Sequence, residues 1–260
     1  MLKHLKYNGK FIYYEEEGSG SPIVFIHPPG AGRKLFRSQV ASLKNRFRVI
    51  VPDLGGYGDS QGGTPPMTLA ERVMEVARVI EILGLNKVHL VSYASGCAAA
   101  QMLADSNPDL IKSLTLLDGY VKVEGLHRLF IRIGIKLLHE NEELAIHLYA
   151  RQLATEKEFI ETLKNHIRKS DIRVWISDYQ QLAGFNFTSR LSSLRMPVLL
   201  VRGGPYMKAA AQPFEQAAGC RSLCVRKRKI ISTNWDSIKN NVVSFLEEAE
   251  ASGITSSRQL

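Results

Sequence analysis

The chain has 260 residues, 45% apolar and 23% charged, a balance that excludes a disordered or fibrous polymer and leaves room for one domain with a large core, with or without an insertion. The opening MLKHLKYNGK carries charge with no apolar stretch behind it, so neither a signal peptide nor a transmembrane segment is expected, and a cytoplasmic location follows as the expectation. A net charge of +9 favours anionic ligands or an acidic protein partner, but no nucleic-acid motif accompanies it and nucleic acid is not an expected partner.

In chain order, HLKYNGKFIYYEE predicts a hairpin. It is followed by short runs rich in Val, Ile and Leu: PIVFIH, FRVIVPD, KVHLVSY, SLTLLD, PVLLVRG and SLCVRKR. Amphipathic stretches separate these runs, which is the alternation of a mostly parallel, doubly wound α/β sheet covered on both faces. The clearest helix starts at Thr68, where TLAE has the spacing of a capping box. Its apolar residues Leu69, Val73, Val76, Ile80 and Leu83 recur at three and four, so one face is expected to pack on the sheet. Between 120 and 190 the strand rhythm stops and helical periodicity takes over, over a length that no ordinary loop requires. The expected organisation is a core of residues 1–119 and 191–250, a helical cap at 120–190, and a frayed tail at 251–260. Cys97, Cys220 and Cys224 form no even disulfide set and are expected to be reduced.

FIHPPGAG, VIVPDLGGYGDS, LVSYASGC, LTLLDG and FNFTSRLSSLRMPVLLVRGG occur in the order of the motifs of α/β-hydrolases with a small helical cap, and the chain resembles that superfamily from about Ser21 to Glu248. The resemblance implies that LVSYASGC is the nucleophile elbow, a strand-to-helix turn normally written G-x-S-x-G. With Ala94 at the tip, Ser92 and Gly96 take the two crowded positions; with Ser95 at the tip, Tyr93 and Cys97 would take them, which fits less well. A methyl group cannot attack a carbonyl, so the Ala94 frame removes covalent catalysis.

The family's histidine would fall in RKRKIISTNWDS, which has none, and His166 is the last histidine of the chain. The family's acid would fall in PYMKAAAQ, which has no carboxylate; Glu215 lies further along, and Asp118 could stand in. The oxyanion-loop donor falls near Pro29, which has no N–H, unless Gly30 takes its place.

The expected function is therefore a triad-deficient, pseudoenzyme-like protein that binds a small, mostly apolar ligand between core and cap. His27, Pro28, Pro29, Tyr93, Ala94, Ser95 and Asp118 are the candidate ligand-binding residues, and no metal or cofactor is expected. Two alternatives stay open. One is a non-hydrolytic isomerase, lyase or cyclase using Tyr93, Asp118 or His27. The other is residual hydrolysis through Ser95 or through Cys97, near the positive end of its helix, with His127 or His147 as base. His27 and Asp53 are expected to brace loops at the pocket mouth. Arg128, Arg132 and Lys136 form a basic stripe, with Leu129, Ile133 and Leu137 beside it. Such a stripe is ordinarily solvated and could also meet a membrane or an acidic protein. Arg226 to Lys229 is expected at a strand edge or end.

Overall fold

The computed structural model describes residues 2–62, 65–203, 212–214, 216–217, 219–225 and 230–256. The runs of apolar residues become the strands β1 (Leu2–Tyr7), β2 (Lys10–Glu17), β3 (Pro22–Ile26), β4 (Arg48–Pro52), β5 (Val88–Tyr93), β6 (Ile111–Leu117), β7 (Val198–Gly203) and β8 (Cys220–Val225). They form one sheet in the order β1-β2-β4-β3-β5-β6-β7-β8. Among the described strands, the pairings of β2 with β1 and with β4 are antiparallel, and the others are parallel. The central strands are apolar on both sides because both faces are covered: Ile23, Val24, Phe25 and Ile26 are fully buried, as are Leu90, Val91, Leu116 and Leu117.

Helices α1 (Arg37–Leu43), α2 (Leu69–Ile82) and α3 (Gly96–Ser106) connect the first strands. The Thr68 hydroxyl accepts from Glu71 N at 3.2 Å, and the Glu71 carboxylate accepts from Thr68 N at 2.6 Å, which closes the reciprocal cap that TLAE predicts. Val73, Val76 and Ile80 are buried as expected, while Leu69 and Leu83 are only partly so. Helix α2 also buries Arg72 and Glu75, charges that its apolar pattern does not announce.

Between β6 and β7 the chain makes α4 (Gly125–Glu140), α5 (Glu142–Leu153), α6 (Lys157–Ile167) and α7 (Ile172–Leu182), inside the stretch where helical periodicity replaces the strand rhythm. The C-terminal helix runs Trp235–Ser256, so the first part of the tail expected to fray from 251 is helical, and residues 257–260 lie outside the described residues. Glu250 explains this, because its carboxylate reaches His89 Nε2 of β5 at 2.6 Å and Lys112 Nζ of β6 at 2.9 Å, which ties the last turns to the sheet. Arg226 to Lys229, Glu215 and the loop at 204–211 lie outside the described residues.

Replacing Thr68 by Ala removes the cap hydroxyl from a helix whose other face carries the cavity wall. Urea denaturation is expected to show a loss of about 1 kcal/mol with an unchanged m-value.

Candidate functional site

The turn between β5 and α3 is the sharpest feature of the sheet's carboxyl edge. Ala94 sits in the left-handed region with φ 48°, whereas Ser95 is right-handed helical and begins α3. Ala94 N donates to Leu117 O at 2.8 Å, and Cys97 N donates to Ala94 O at 3.1 Å, so both ends of the turn are held by backbone. Gly96 is required by close approach: a Cβ there would lie 2.8 Å from Ile26 O and 2.9 Å from His27 O. The methyl of Ala94 therefore stands at the tip. Ala94 and Ser95 are both partly exposed.

The loop after β3 crosses in front of this turn. His27 is buried and its Nε2 accepts from Leu54 N at 2.9 Å, so Nδ1 carries the proton and donates to Pro28 O at 2.9 Å. Burial pushes this imidazole down to about 4 against the opposing pull of Asp53, and both ring nitrogens are engaged in holding loops. Gly30, at φ 85°, lies beneath the Trp175 ring of α7 with no space for a side chain, and Tyr149 of α5 donates to Pro29 O at 2.9 Å.

Asp53, after β4, is fully buried. It accepts from Arg33 N at 2.6 Å, from Asp59 N at 3.0 Å, from the Arg33 guanidinium, and from His166 Nε2 of α6 at 2.9 Å. Burial alone would raise its carboxyl, but His166 and Arg33 hold it below the ordinary value. Asp53, Asp59 and His166 place potential metal-ligand atoms within 4.8 Å of one another. The Arg33 guanidinium already binds both carboxylates, and Lys169 binds Asp59 at 2.7 Å, so the oxygens a cation would need are engaged by fixed positive charge.

A second buried network, not singled out from the sequence, lies nearer the elbow. Arg72 Nε donates to Asp178 Oδ2 of α7 at 3.0 Å, and its Nη1 donates to Glu75 Oε2 at 2.9 Å and to Gly55 O at 2.7 Å. Tyr57 Oη donates to Asp178 Oδ2 at 2.6 Å. Burial raises the carboxyls of Glu75 and Asp178 even though Arg72 pulls them down. Arg72 Nη2 is buried without a hydrogen-bond partner among the described residues. The signal for this cluster was a charged pair, Arg72 and Glu75, at helical spacing on a helix otherwise read for its apolar face.

These groups line a small, partly open pocket between core and α7, with about 20 Å³ of free space, room for a single water. Of the candidate binding residues, His27, Pro29 and Ser95 line it, while Pro28, Tyr93, Ala94 and Asp118 lie outside its lining. The cavity wall also contains Tyr57, Arg72, Asp178 and Gln181, which the sequence did not single out. A wider depression of about 570 Å³ lies elsewhere, between α2, α3 and the turn of the first hairpin.

Tyr93 is buried, and burial followed by the nearby Asp118 charge keeps its phenol protonated. Cys97 does not have the lowered thiol considered for a residue near a helix start. It is fully buried, its Sγ accepts from Ser92 Oγ at 3.1 Å, and burial pushes the thiol up to about 12. Among the described residues, no imidazole hydrogen-bonds to Ser95 or Cys97, and His127 instead packs against Tyr120 with ring centroids 5.2 Å apart. Asp118 is the second non-glycine residue of the site with left-handed backbone, at φ 51°, and accepts from Gly203 N at 2.7 Å. Burial pushes its carboxyl up from 3.8 to about 6.

Because Asp118's folded value lies above its unfolded one, the native state binds the extra proton between those two values, and stability falls as pH rises through that window. Asp118→Asn keeps the acceptor for Gly203 and suits the left-handed backbone. Above pH 6 it is expected to stabilise the protein by on the order of 3 kcal/mol. Denaturation measured across pH should show that gain closing as pH falls towards 3.8.

The fold is shared with solved structures. A hydrolase from Pseudomonas aeruginosa PA01 superposes with a TM-score of 0.84 at 16% identity, covering 94% of this chain and 98% of that one. The enol-lactonase of Burkholderia xenovorans LB400 superposes with a TM-score of 0.83, also at 16% identity, over 94% of this chain and all of that one. By sequence, the chain is 26% identical over 200 residues to the putative carbamate hydrolase RutD of Azorhizobium caulinodans, covering 73% of this chain and 75% of that protein. It is 23% identical over 216 residues to the (E)-2-((N-methylformamido)methylene)succinate hydrolase of Acinetobacter baylyi, covering 81% and 82%. Residues 21–229 match the model of the alpha/beta hydrolase fold family, and with the sheet order, elbow and helical insertion already described, the chain belongs to that family.

Proposed function

We propose that this family member does not carry out acyl transfer at its elbow and instead holds a small, mostly apolar molecule at the seam between the sheet and α7. One observation carries the reading: the tip of the turn is Ala94, in the backbone conformation that presents a nucleophile elsewhere in the fold, and a methyl has no electron pair to offer. The groups around it point the same way. His27 has both nitrogens committed, His166 directs Nε2 to Asp53, and the Cys97 thiol stays protonated. Ile26, Pro29, Leu54, Leu69 and Leu182 supply apolar walls to the seam, and Arg72 Nη2 offers a ligand one unspent donor. The free space there holds one water and is partly open to solvent, so a ligand sits at the mouth of the seam rather than deep within it.

A second reading is a non-hydrolytic enzyme, an isomerase, lyase or cyclase. It is favoured by Asp118, a partly exposed carboxyl held near 6, the range in which a group exchanges protons efficiently at neutral pH.

The relatives quoted above carry hydrolase names, so the test must separate hydrolysis from binding. Purified protein is expected to show no turnover of p-nitrophenyl esters and no labelling by a fluorophosphonate probe. Ala94→Ser should stay unlabelled as well, because the new hydroxyl would find His27 and His166 already engaged. Mass spectrometry of solvent extracts of the protein is expected to recover one small molecule at stoichiometric yield. Labelling of the wild type, at Ser95 or elsewhere in the cleft, would falsify the reading.

A further inference from the structure

Helix α4 is amphipathic in an unusual sense. Leu126, Leu129, Phe130 and Ile133 recur at the spacing that ordinarily turns a helix towards a core, yet they are 60%, 49%, 55% and 51% exposed. Of the 16 residues of α4, only Leu138 is buried; Ile131 and Ile135, on a different face, and Leu137, at the C-terminal end of the ridge, make partial contact with the core. Helix α5, which packs on α4, adds Leu144 and Leu148, 43% and 49% exposed. An apolar ridge of this kind on the surface marks a contact with something that removes it from water.

The charge beside the ridge identifies that partner. Arg128, Arg132 and Lys136 stand four residues apart, on the exposed side of α4 next to the ridge. Arg128 spends its guanidinium on the backbone carbonyls of Ala183 and Val123, and Arg132 has no ion pair among the described residues. Lys136 meets only Glu140, at 3.6 Å, with both side chains largely in solvent. The row therefore keeps its positive charge, on a chain whose net charge is already +9. A second copy docking through this face under twofold symmetry would bring like charges to one seam. An anionic lipid surface instead satisfies both features, taking the leucines into the acyl boundary and the cations to the headgroups. We propose that α4 and the adjoining face of α5 form a peripheral docking surface for anionic membranes.

Co-sedimentation with phosphatidylglycerol-containing vesicles tests this directly. Wild-type protein is expected to bind them, to bind pure phosphatidylcholine vesicles far less, and to lose binding at high salt. Arg132→Glu with Lys136→Glu should weaken binding at least about tenfold, since each basic residue at such a surface contributes roughly fivefold. Leu129→Gln with Ile133→Gln should weaken it comparably at low salt. Both pairs are exposed, so circular dichroism and Tm should stay at wild-type values, which separates a lost contact from a lost fold. The proposal is overturned by failure to bind the anionic vesicles, by equal binding to both vesicle types, or by variants that bind like wild type. It is equally overturned if light scattering shows a dimer that the leucine and isoleucine substitutions dissociate, since a second copy would then cover the ridge.

Discussion

Arg72 lies between Glu75 of its own helix and Asp178 of α7, with Tyr57 completing the set, and none of these charges could stay buried if the others withdrew. Breaking such a group by removing one member leaves an uncompensated charge in the interior, at a cost of about 3–5 kcal/mol. The position of α7 over the sheet therefore does not rest on apolar packing alone. It is fixed in direction as well as in distance, because a guanidinium and a carboxylate must face one another at hydrogen-bond range. The narrow pocket and the placement of Trp175 over Gly30 depend on that placement.

The same restraint shapes what the elbow can do. Two residues with side chains, Ala94 and Asp118, hold left-handed backbone at the carboxyl edge of the sheet, a conformation that costs about a kcal/mol or more and persists only when its surroundings enforce it. At Ala94 the tight turn remains, but no reactive atom stands on it. At Asp118 the strained position carries a carboxyl whose proton affinity has been raised by burial. Under the proposed reading, the scaffold keeps the preorganised geometry of the fold and applies it to holding a molecule rather than to attacking one.

The central strands were legible because each is a largely apolar run bounded by turn residues, and the start of α2 because a hydroxyl and a carboxylate three residues apart close a local ring. The elbow frame could be read from the sizes of Ser92, Ala94 and Gly96. The charged lining of the cavity could not, since Arg72 and Asp178 are 106 residues apart and only the fold brings them together. On a helical wheel Arg72 and Glu75 look like solvent-facing residues, and their burial follows from a partner that local periodicity cannot reveal. His166 posed the same difficulty: in sequence it was simply the last histidine, whereas in space it is the cap's bond to Asp53. The helical backbone of 251–256 was hidden for a comparable reason, since the carboxylate at Glu250 that reaches two strands is invisible to local composition.

The seat of His166 has a consequence for modularity. A Cβ on Gly32 would fall 2.5 Å from its Nε2, and one on Gly58 would fall 2.4 Å from the same atom, so the imidazole is keyed into a slot that only two side-chain-free positions leave open. The helical insertion and the loops beneath it are thus matched parts. A chimera that grafts this insertion onto a related sheet with ordinary residues at either glycine would have no berth for the ring, and a foreign insertion without the histidine would leave Asp53 short of one of its donors.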